Sequence, residues 1–263
     1  MEPTLMRRPS LTTLANDRNL IPGIYNYCDR WCERCPLTSR CLLYATEQED
    51  GVLPESQDIH NADFWRKLNS IMDETRQMIS EWASQRGIDL TQSENENQSR
   101  NQRRRQLVDN HPLTKGAKKY ANLASDWFRE LDQAIQIESF DPDARDVIQW
   151  YQYQIAVKTM RALSGQKEEL EADTALAEHP KDSDGSAKVA LIGIDRSIAA
   201  WRLMQLSLPE HADSVVPLLL QLERLRNRVE KHFPDARAFV RPGFDDAEPQ
   251  PEPSITTTDT HNT

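Results

Sequence analysis

The stretch "AKVALIGIDRSIAAWRLMQL", residues 187–206, is apolar on most sides when it is drawn as a helix. Lys188, Asp195 and Arg202 share its one charged face, which we interpret as the solvated side. A helix at a protein surface carries a single apolar stripe, whereas a helix that is apolar nearly all round is buried. The stretch therefore predicts a central helix against which the rest of the chain packs.

Four other segments have apolar residues at three- and four-residue steps, as a helix with one buried face requires. They cover about residues 64–87, 117–135, 142–163 and 212–233. Gly87 and Pro234 are suitable end points for two of them, and Pro142 suits a first helical turn. No convincing strand alternation is present. We predict an all-α bundle of about five long helices.

The remaining segments divide the chain. Residues 1–20 are predicted to be a loosely ordered N-terminus and residues 21–60 a cysteine-rich metal-binding segment. Residues 61–240 form the helical bundle, interrupted by a polar linker at 91–113 and a polar loop at 164–186. Residues 241–263 are acidic and proline-rich, which predicts a disordered tail.

The charge balance restricts the partners. The net charge is −10 and the pI is about 5.2, which opposes binding to nucleic acid because phosphate contacts need clustered Lys and Arg. No segment has the roughly 20 apolar residues of a membrane span, and no secretion signal is recognisable. We expect a cytoplasmic location and a protein partner whose identity the sequence does not give.

All four cysteines lie in "YCDRWCERCPLTSRC", residues 27–41. Cys28, Cys32, Cys35 and Cys41 have the spacing C-x3-C-x2-C-x5-C, and closing such short loops around one centre costs little entropy. Four thiolates can hold a [4Fe–4S] cluster or a zinc ion. Close spacing and the proline after Cys35 favour the cluster. A reducing cytosol opposes disulfides, and either metal could be a structural staple only.

The stretch "CERCPLTSRCLLYATEQEDGV", residues 32–52, resembles the cluster-binding stretch of WhiB-like iron–sulfur proteins. Cys32, Cys35 and Cys41 have that family's C-x2-C-x5-C spacing, and Gly51-Val52 resembles the start of its glycine turn. The resemblance implies a [4Fe–4S] cluster that senses redox state or nitric oxide. It covers under a tenth of the chain, so it carries no transcription function with it. The whole segment also resembles that of bacterial helical proteins of unassigned function with the same four-cysteine signature.

Neighbouring side chains complete the predicted site. Tyr25, Tyr27 and Trp31 could shield a cluster or simply belong to the core. Three arginines, Arg30, Arg34 and Arg40, could offset thiolate charge or form a solvated face. Lys158 falls on the apolar stripe of its helix, where it is either buried and functional or extended to the edge of the stripe. No Glu-x-x-His motif, P-loop or GxSxG is present, so no reaction is predicted and enzymatic activity stays open.

Overall fold

The computed structural model describes Leu14 and residues 17–49, 62–88, 94–134, 142–171 and 181–245. Regular structure in these residues is entirely helical, which confirms the all-α prediction. The seven α-helices are α1 (Leu42–Glu49), α2 (Ala62–Gln85), α3 (Glu94–Asn110), α4 (Pro112–Ala134), α5 (Pro142–Glu171), α6 (Asp182–Ser207) and α7 (Ala212–His232).

Helix α6 is the centre of the bundle, as predicted. It packs along α5 on one side and against α7 on another, and α4 closes the bundle by contacting both α5 and α7. Leu191, Ile194 and Trp201 are fully buried. Gly193 permits the close approach of α5, because a Cβ at this position would lie only 2.9 Å from Cδ1 of Tyr151.

The two described parts of the polar loop predicted at 164–186 are almost entirely helical, which corrects that prediction for these residues. Helix α5 continues to Glu171 and α6 begins at Asp182, while residues 172–180 lie outside the described residues. The polar side chains find partners on neighbouring helices. Glu169 accepts hydrogen bonds from the backbone N–H and the hydroxyl of Ser183, at 2.9 and 2.7 Å. Gln166 contacts His232 at 2.9 Å.

The linker predicted at 91–113 also contains a helix, α3, over residues 94–110. This helix has almost no apolar periodicity, so its sequence alone did not identify it. It is held by its C-terminal end, where Val108 is buried, and by an ion pair between Arg104 and Glu168 of α5. Asp109 pairs with Lys118 of α4 at 3.0 Å.

Helix α2 forms where predicted, but several of its large apolar side chains are exposed. Met72, Ile79 and Trp82 are between 46% and 50% exposed, so the prediction of a buried face is wrong for these side chains. The helix makes no extensive packing contact with the other described helices. Its predicted end is confirmed: Gly87 has φ 66°, and the N–H of Ile88 bonds to the carbonyl of Ala83 at 2.9 Å.

The two ends of the chain are described only in part. Residues 241–245 form a turn that packs against the cysteine-rich segment, so the predicted disordered tail does not begin at 241. Residues 246–263, residues 1–13 and the segment 50–61 with Gly51 and Val52 lie outside the described residues. In the described part of the chain, no helix is long and apolar enough to cross a membrane.

Candidate metal centre

The cysteine-rich segment folds as three short 3-10 turns, Ile24–Asn26, Cys32–Arg34 and Thr38–Arg40, followed by α1. The second and third turns are closed by backbone bonds from Cys35 to Cys32 and from Cys41 to Thr38, at 3.1 and 3.2 Å. Gly23, with φ 71°, precedes the first turn, and Arg30, with φ 59°, lies between the first and second turns, so the chain changes direction at both residues. Frequent reversal keeps the thiols near one another despite the absence of a long element.

All four predicted ligands line one cavity. Cys28, Cys32, Cys35 and Cys41 surround a space of about 20 Å³, and none of them forms a disulfide. The other lining residues are mostly apolar or aromatic, and they include Ile24, Tyr25, Trp31, Leu37, Tyr44 and Phe244. No carboxylate or imidazole lines this cavity among the described residues. The donor set is therefore four thiols, which suits both an iron–sulfur cluster and zinc.

The four thiols do not form a close metal-coordinating group in this structure. Within the described residues, no three His, Cys, Asp or Glu side chains are grouped closely enough to hold a metal ion. The Cys28 thiol lies 3.4 Å from the carbonyl oxygen of Tyr25, to which it donates. The backbone N–H of Leu37 donates to the sulfur of Cys35, also at 3.4 Å.

Burial sets the protonation of two of the thiols. It raises the pKa of Cys28, against the opposing effects of the Arg30 backbone N–H and the Lys158 ammonium. Burial likewise raises the pKa of Cys32, with the Arg30 side chain opposing it. Metals bind the thiolate form, so a metal bound here would displace protons from these sulfurs.

Asp29 anchors the segment to the bundle. Its carboxylate accepts hydrogen bonds from the guanidinium of Arg196 on α6, at 2.7 Å, and from the hydroxyl of Tyr151 on α5. Its backbone carbonyl accepts from the indole N–H of Trp150 at 2.9 Å. The same carboxylate also caps the backbone N–H of Trp31 at 3.2 Å. One residue next to Cys28 thus joins the loop to both central helices.

Trp31 provides a second anchor. Its ring stacks on that of Trp150, with centroids 5.0 Å apart and planes inclined by 16°, and it also lines the cysteine cavity. The guanidinium of Arg34 lies 4.2 Å from the centroid of Trp31 and pairs with Asp143 and Asp146 at 2.9 and 3.2 Å. Trp31 therefore lines the cavity and also packs against the core, as both of the roles expected for it would require, whereas the Arg34 charge is paired with carboxylates of α5.

The other residues expected beside the cysteines, two tyrosines and two arginines, differ in whether they lie at the cavity. Tyr25 lines the cavity, while Tyr27 packs on Phe239 with ring centroids 4.8 Å apart. Arg30 pairs with Glu47 at 2.9 Å. The Nε of Arg40 bonds to the carbonyl of Asn19 at 3.4 Å. Arg30 thus binds a group within the segment, and Arg40 binds the residues just before it.

Lys158 is buried, with 6% of its surface exposed, and it points toward the cysteine-rich segment. Its ammonium donates to the carbonyl of Asn26 at 3.4 Å. Burial lowers the pKa of Lys158, and the proximity of Cys28 acts in the opposite direction. A buried cation beside Cys28 favours the thiolate of that residue.

The turn at 241–245 covers the segment, and sequence reasoning missed this role. Asp245 accepts a hydrogen bond from the backbone N–H of Arg241 at 2.9 Å and pairs with Lys188 of α6 at 2.7 Å. This turn brings Phe244 to the cysteine cavity. Lys188 is therefore not on a solvated face, as its spacing had indicated. The useful signal was the "RPGFD" sequence, in which Gly243 has φ 75°.

A larger cavity of about 580 Å³ lies beside the cysteine cavity, between the segment, α5, α6 and the C-terminal turn. Its walls include Arg34, Asp143, Tyr151, Arg196, Leu203 and Arg241. Of the four cysteines, Cys35 alone lines both cavities, together with Trp31 and Phe244. Cys35 is thus the cysteine that lies next to the larger cavity.

Comparison of the chain with known protein families, with curated proteins and with solved structures found no match.

Proposed function

We propose that this chain is a metal-binding helical protein whose four cysteines hold one [4Fe–4S] cluster for a redox or sensing purpose. The observation that supports the proposal is that Cys28, Cys32, Cys35 and Cys41 line one cavity without a disulfide. Bound there, the cluster would supply one-electron redox chemistry. The proposed setting is a reducing cytoplasm, where clustered thiols persist as ligands.

The surrounding residues suit this role in three ways. Ile24, Leu37 and Phe244 shield the sulfurs from water, and burial is one of the properties that sets the potential of a cluster. Lys158 supplies a buried positive charge beside Cys28. The N–H of Leu37 donates to the sulfur of Cys35, which is a second way to adjust cluster chemistry.

Asp29 suits signal transmission to a protein partner. It is adjacent to Cys28, and it bonds to Tyr151 on α5 and to Arg196 on α6. A change in the cysteine-rich segment on cluster loss would therefore alter contacts on both central helices. The partner itself remains to be identified, and contact with nucleic acid is not part of the proposal.

Zinc is the second candidate, and the size of the cavity favours it. The space of about 20 Å³ is close to that of a single water-sized sphere, which is nearer to one ion than to a cube of iron and sulfide. A zinc ion on four thiolates would fix the segment against the bundle without redox chemistry. Either metal requires the thiols to converge further, as is usual when binding completes local folding.

One preparation separates the two candidates. The full-length protein is purified without oxygen, its visible spectrum is recorded, and iron, sulfide and zinc are measured per chain. A brown protein with equal iron and sulfide that bleaches in air supports the cluster. A colourless protein with one zinc overturns the cluster and supports the alternative. A protein with no bound metal after reconstitution with iron and sulfide, or with zinc, overturns both.

The ligand assignment has its own test. Cys35→Ser should abolish or strongly reduce metal content, since a complete set of four thiolates is required. Ser39→Ala is the matched control, because Ser39 is an exposed residue of the same segment and does not line the cavity. Full metal retention in Cys35→Ser would show that Cys35 is not a ligand.

A further inference from the structure

A second cavity, of about 440 Å³, lies between the beginning of α4 and α7. Its volume is within the range of small-molecule sites. It shares no lining residue with the cysteine cavity. It is lined by Asn110, Pro112, Lys115, Gly116, Lys119, Gln221, Arg224, Leu225 and Arg228.

Four cations and no carboxylate line this cavity. Lys115 and Lys119 are four residues apart on α4, and Arg224 and Arg228 are four residues apart on α7. None of the four side chains pairs with a carboxylate among the described residues. Each helix therefore presents two positive charges on one face, toward the same space.

Cationic side chains next to the cavity on the same two helices are paired with carboxylates, unlike the four that line it. Lys118 on α4 pairs with Asp109 at 3.0 Å, and Arg226 on α7 pairs with Glu223 and, at 3.6 Å, with Asp195. The chain has 42 acidic residues against 32 Lys and Arg, so carboxylate partners are abundant. The lack of a carboxylate is thus a property of the cavity and not of the surface in general.

This arrangement is unfavourable without a ligand. Like charges at i and i+4 on a helix repel each other and destabilise it, and here two such pairs face each other. An anion in the cavity would add an attraction to each of the four cations and so offset this repulsion.

We infer that this cavity binds a small, multiply charged phosphate-bearing anion. The guanidinium groups of Arg224 and Arg228 can each bond two phosphate oxygens, and Lys115 and Lys119 act as point charges. No aromatic side chain lines the cavity, so it offers no stacking surface for a nucleobase. The phosphate groups themselves are what this site recognises. The inference does not depend on the metal centre.

Inorganic tripolyphosphate is the probe. Its binding to the full-length protein is measured by titration calorimetry, and the thermal midpoint is recorded with and without it, in buffers matched for ionic strength with sodium chloride. We expect one-to-one binding, a raised midpoint, and an affinity that falls as chloride is increased. Arg228→Gln and Lys119→Gln should each weaken binding about tenfold, since each loses a charged contact.

Arg202→Gln is the matched control, because Arg202 is an exposed arginine on α6 that does not line the cavity. It should bind the probe as the parent protein does. Absence of binding beyond the chloride-matched buffer, or equal affinity in the parent, Arg228→Gln and Lys119→Gln proteins, would overturn the inference. Tighter binding of a single-stranded oligonucleotide than of tripolyphosphate would overturn the assigned ligand class.

Discussion

Gly185 of α6 lies directly against the ring of Tyr27, and a Cβ at position 185 would stand 2.5 Å from the Cδ1 atom of that ring. The same Cβ would be 2.7 Å from Cζ of Phe239. The central helix therefore meets both the cysteine-rich segment and the C-terminal region at a residue without a side chain. Alanine at this position would have to push two aromatic rings away.

Gly185→Ala is expected to destabilise the protein by roughly 1–3 kcal/mol, the usual cost of overpacking. The measurement is urea unfolding followed by tryptophan fluorescence. Gly116→Ala on α4 is the control, because a Cβ there meets its nearest neighbour at an ordinary 3.5 Å. That change should be neutral or stabilising by up to about 1 kcal/mol. Equal effects at the two positions would contradict the contact.

Asp245 makes stability dependent on acid pH. Burial by itself would raise the pKa of Asp245, but hydrogen bonds from Arg241 and Lys188 outweigh it and hold the pKa well below its ordinary value. Its contribution is therefore complete above the unfolded pKa of about 4 and is lost as the pH falls from there through the folded pKa.

Asp245→Asn should lower stability at pH 7 by on the order of 1–2 kcal/mol, because the charged hydrogen bonds are lost. The difference from the parent protein should shrink when urea unfolding is repeated near pH 3. A difference that is constant across this interval would mean that the carboxylate charge does not hold the turn.

The pair His111 and His232 gives a second pH dependence, near neutrality. Their rings pack edge to face with centroids 5.1 Å apart. Burial lowers the pKa of both, and for His111 the charge of His232 lowers it further. His111 Nδ1 also accepts the backbone N–H of Leu113 at 3.2 Å, which requires that nitrogen to be unprotonated.

Stability from these histidines is complete above about pH 6.5 and is lost as the pH falls from there through their folded pKa values. The urea midpoint should therefore be lower at pH 5.5 than at pH 7.5. His111→Asn keeps an acceptor suited to the start of α4 but removes one titrating group. It should show a smaller decrease; an unchanged decrease would locate the pH dependence elsewhere.

The exposed side chains of α2 should contribute little to folding. Ile79 is 49% exposed, so Ile79→Ser is expected to change the free energy of unfolding by less than about 0.5 kcal/mol. Leu222 of α7 is fully buried, and Leu222→Ala should cost about 2–5 kcal/mol. Urea unfolding of both variants compares the two helices. A large loss for Ile79→Ser would show that this face is covered in solution.

The helices that could be predicted best from the sequence are those whose apolar pattern fits only one kind of helix. The stretch at 187–206 is apolar on most sides, and it is the buried central helix. Prediction from the sequence failed for α3 and for the end of α5. The polar residues of these helices are stabilised by bonds to residues remote in the chain, such as the ion pair of Arg104 with Glu168. For α2, periodicity predicted the helix but could not show whether anything covers it.

The candidate site likewise has a part that the sequence predicts and a part that it does not. Short spacing was enough to predict that Cys28, Cys32, Cys35 and Cys41 would lie together. It could not predict Asp29 as an anchor, since its partners Tyr151 and Arg196 are 122 and 167 residues away. The spacing of the cysteines also could not predict that Phe244 lines their cavity, because Phe244 belongs to a segment with the acidic, proline-rich composition of a disordered tail.

The involvement of Phe244 has a consequence for how the protein is made. Translation delivers the cysteines before Phe244, and domains generally fold from the N-terminus as they emerge. Phe244, which forms one wall of the cysteine cavity, is synthesised about 200 residues after Cys41. The thiols therefore stay in an unfinished pocket until residue 244 has emerged, and a nascent chain that stops short of residue 244 leaves that pocket open.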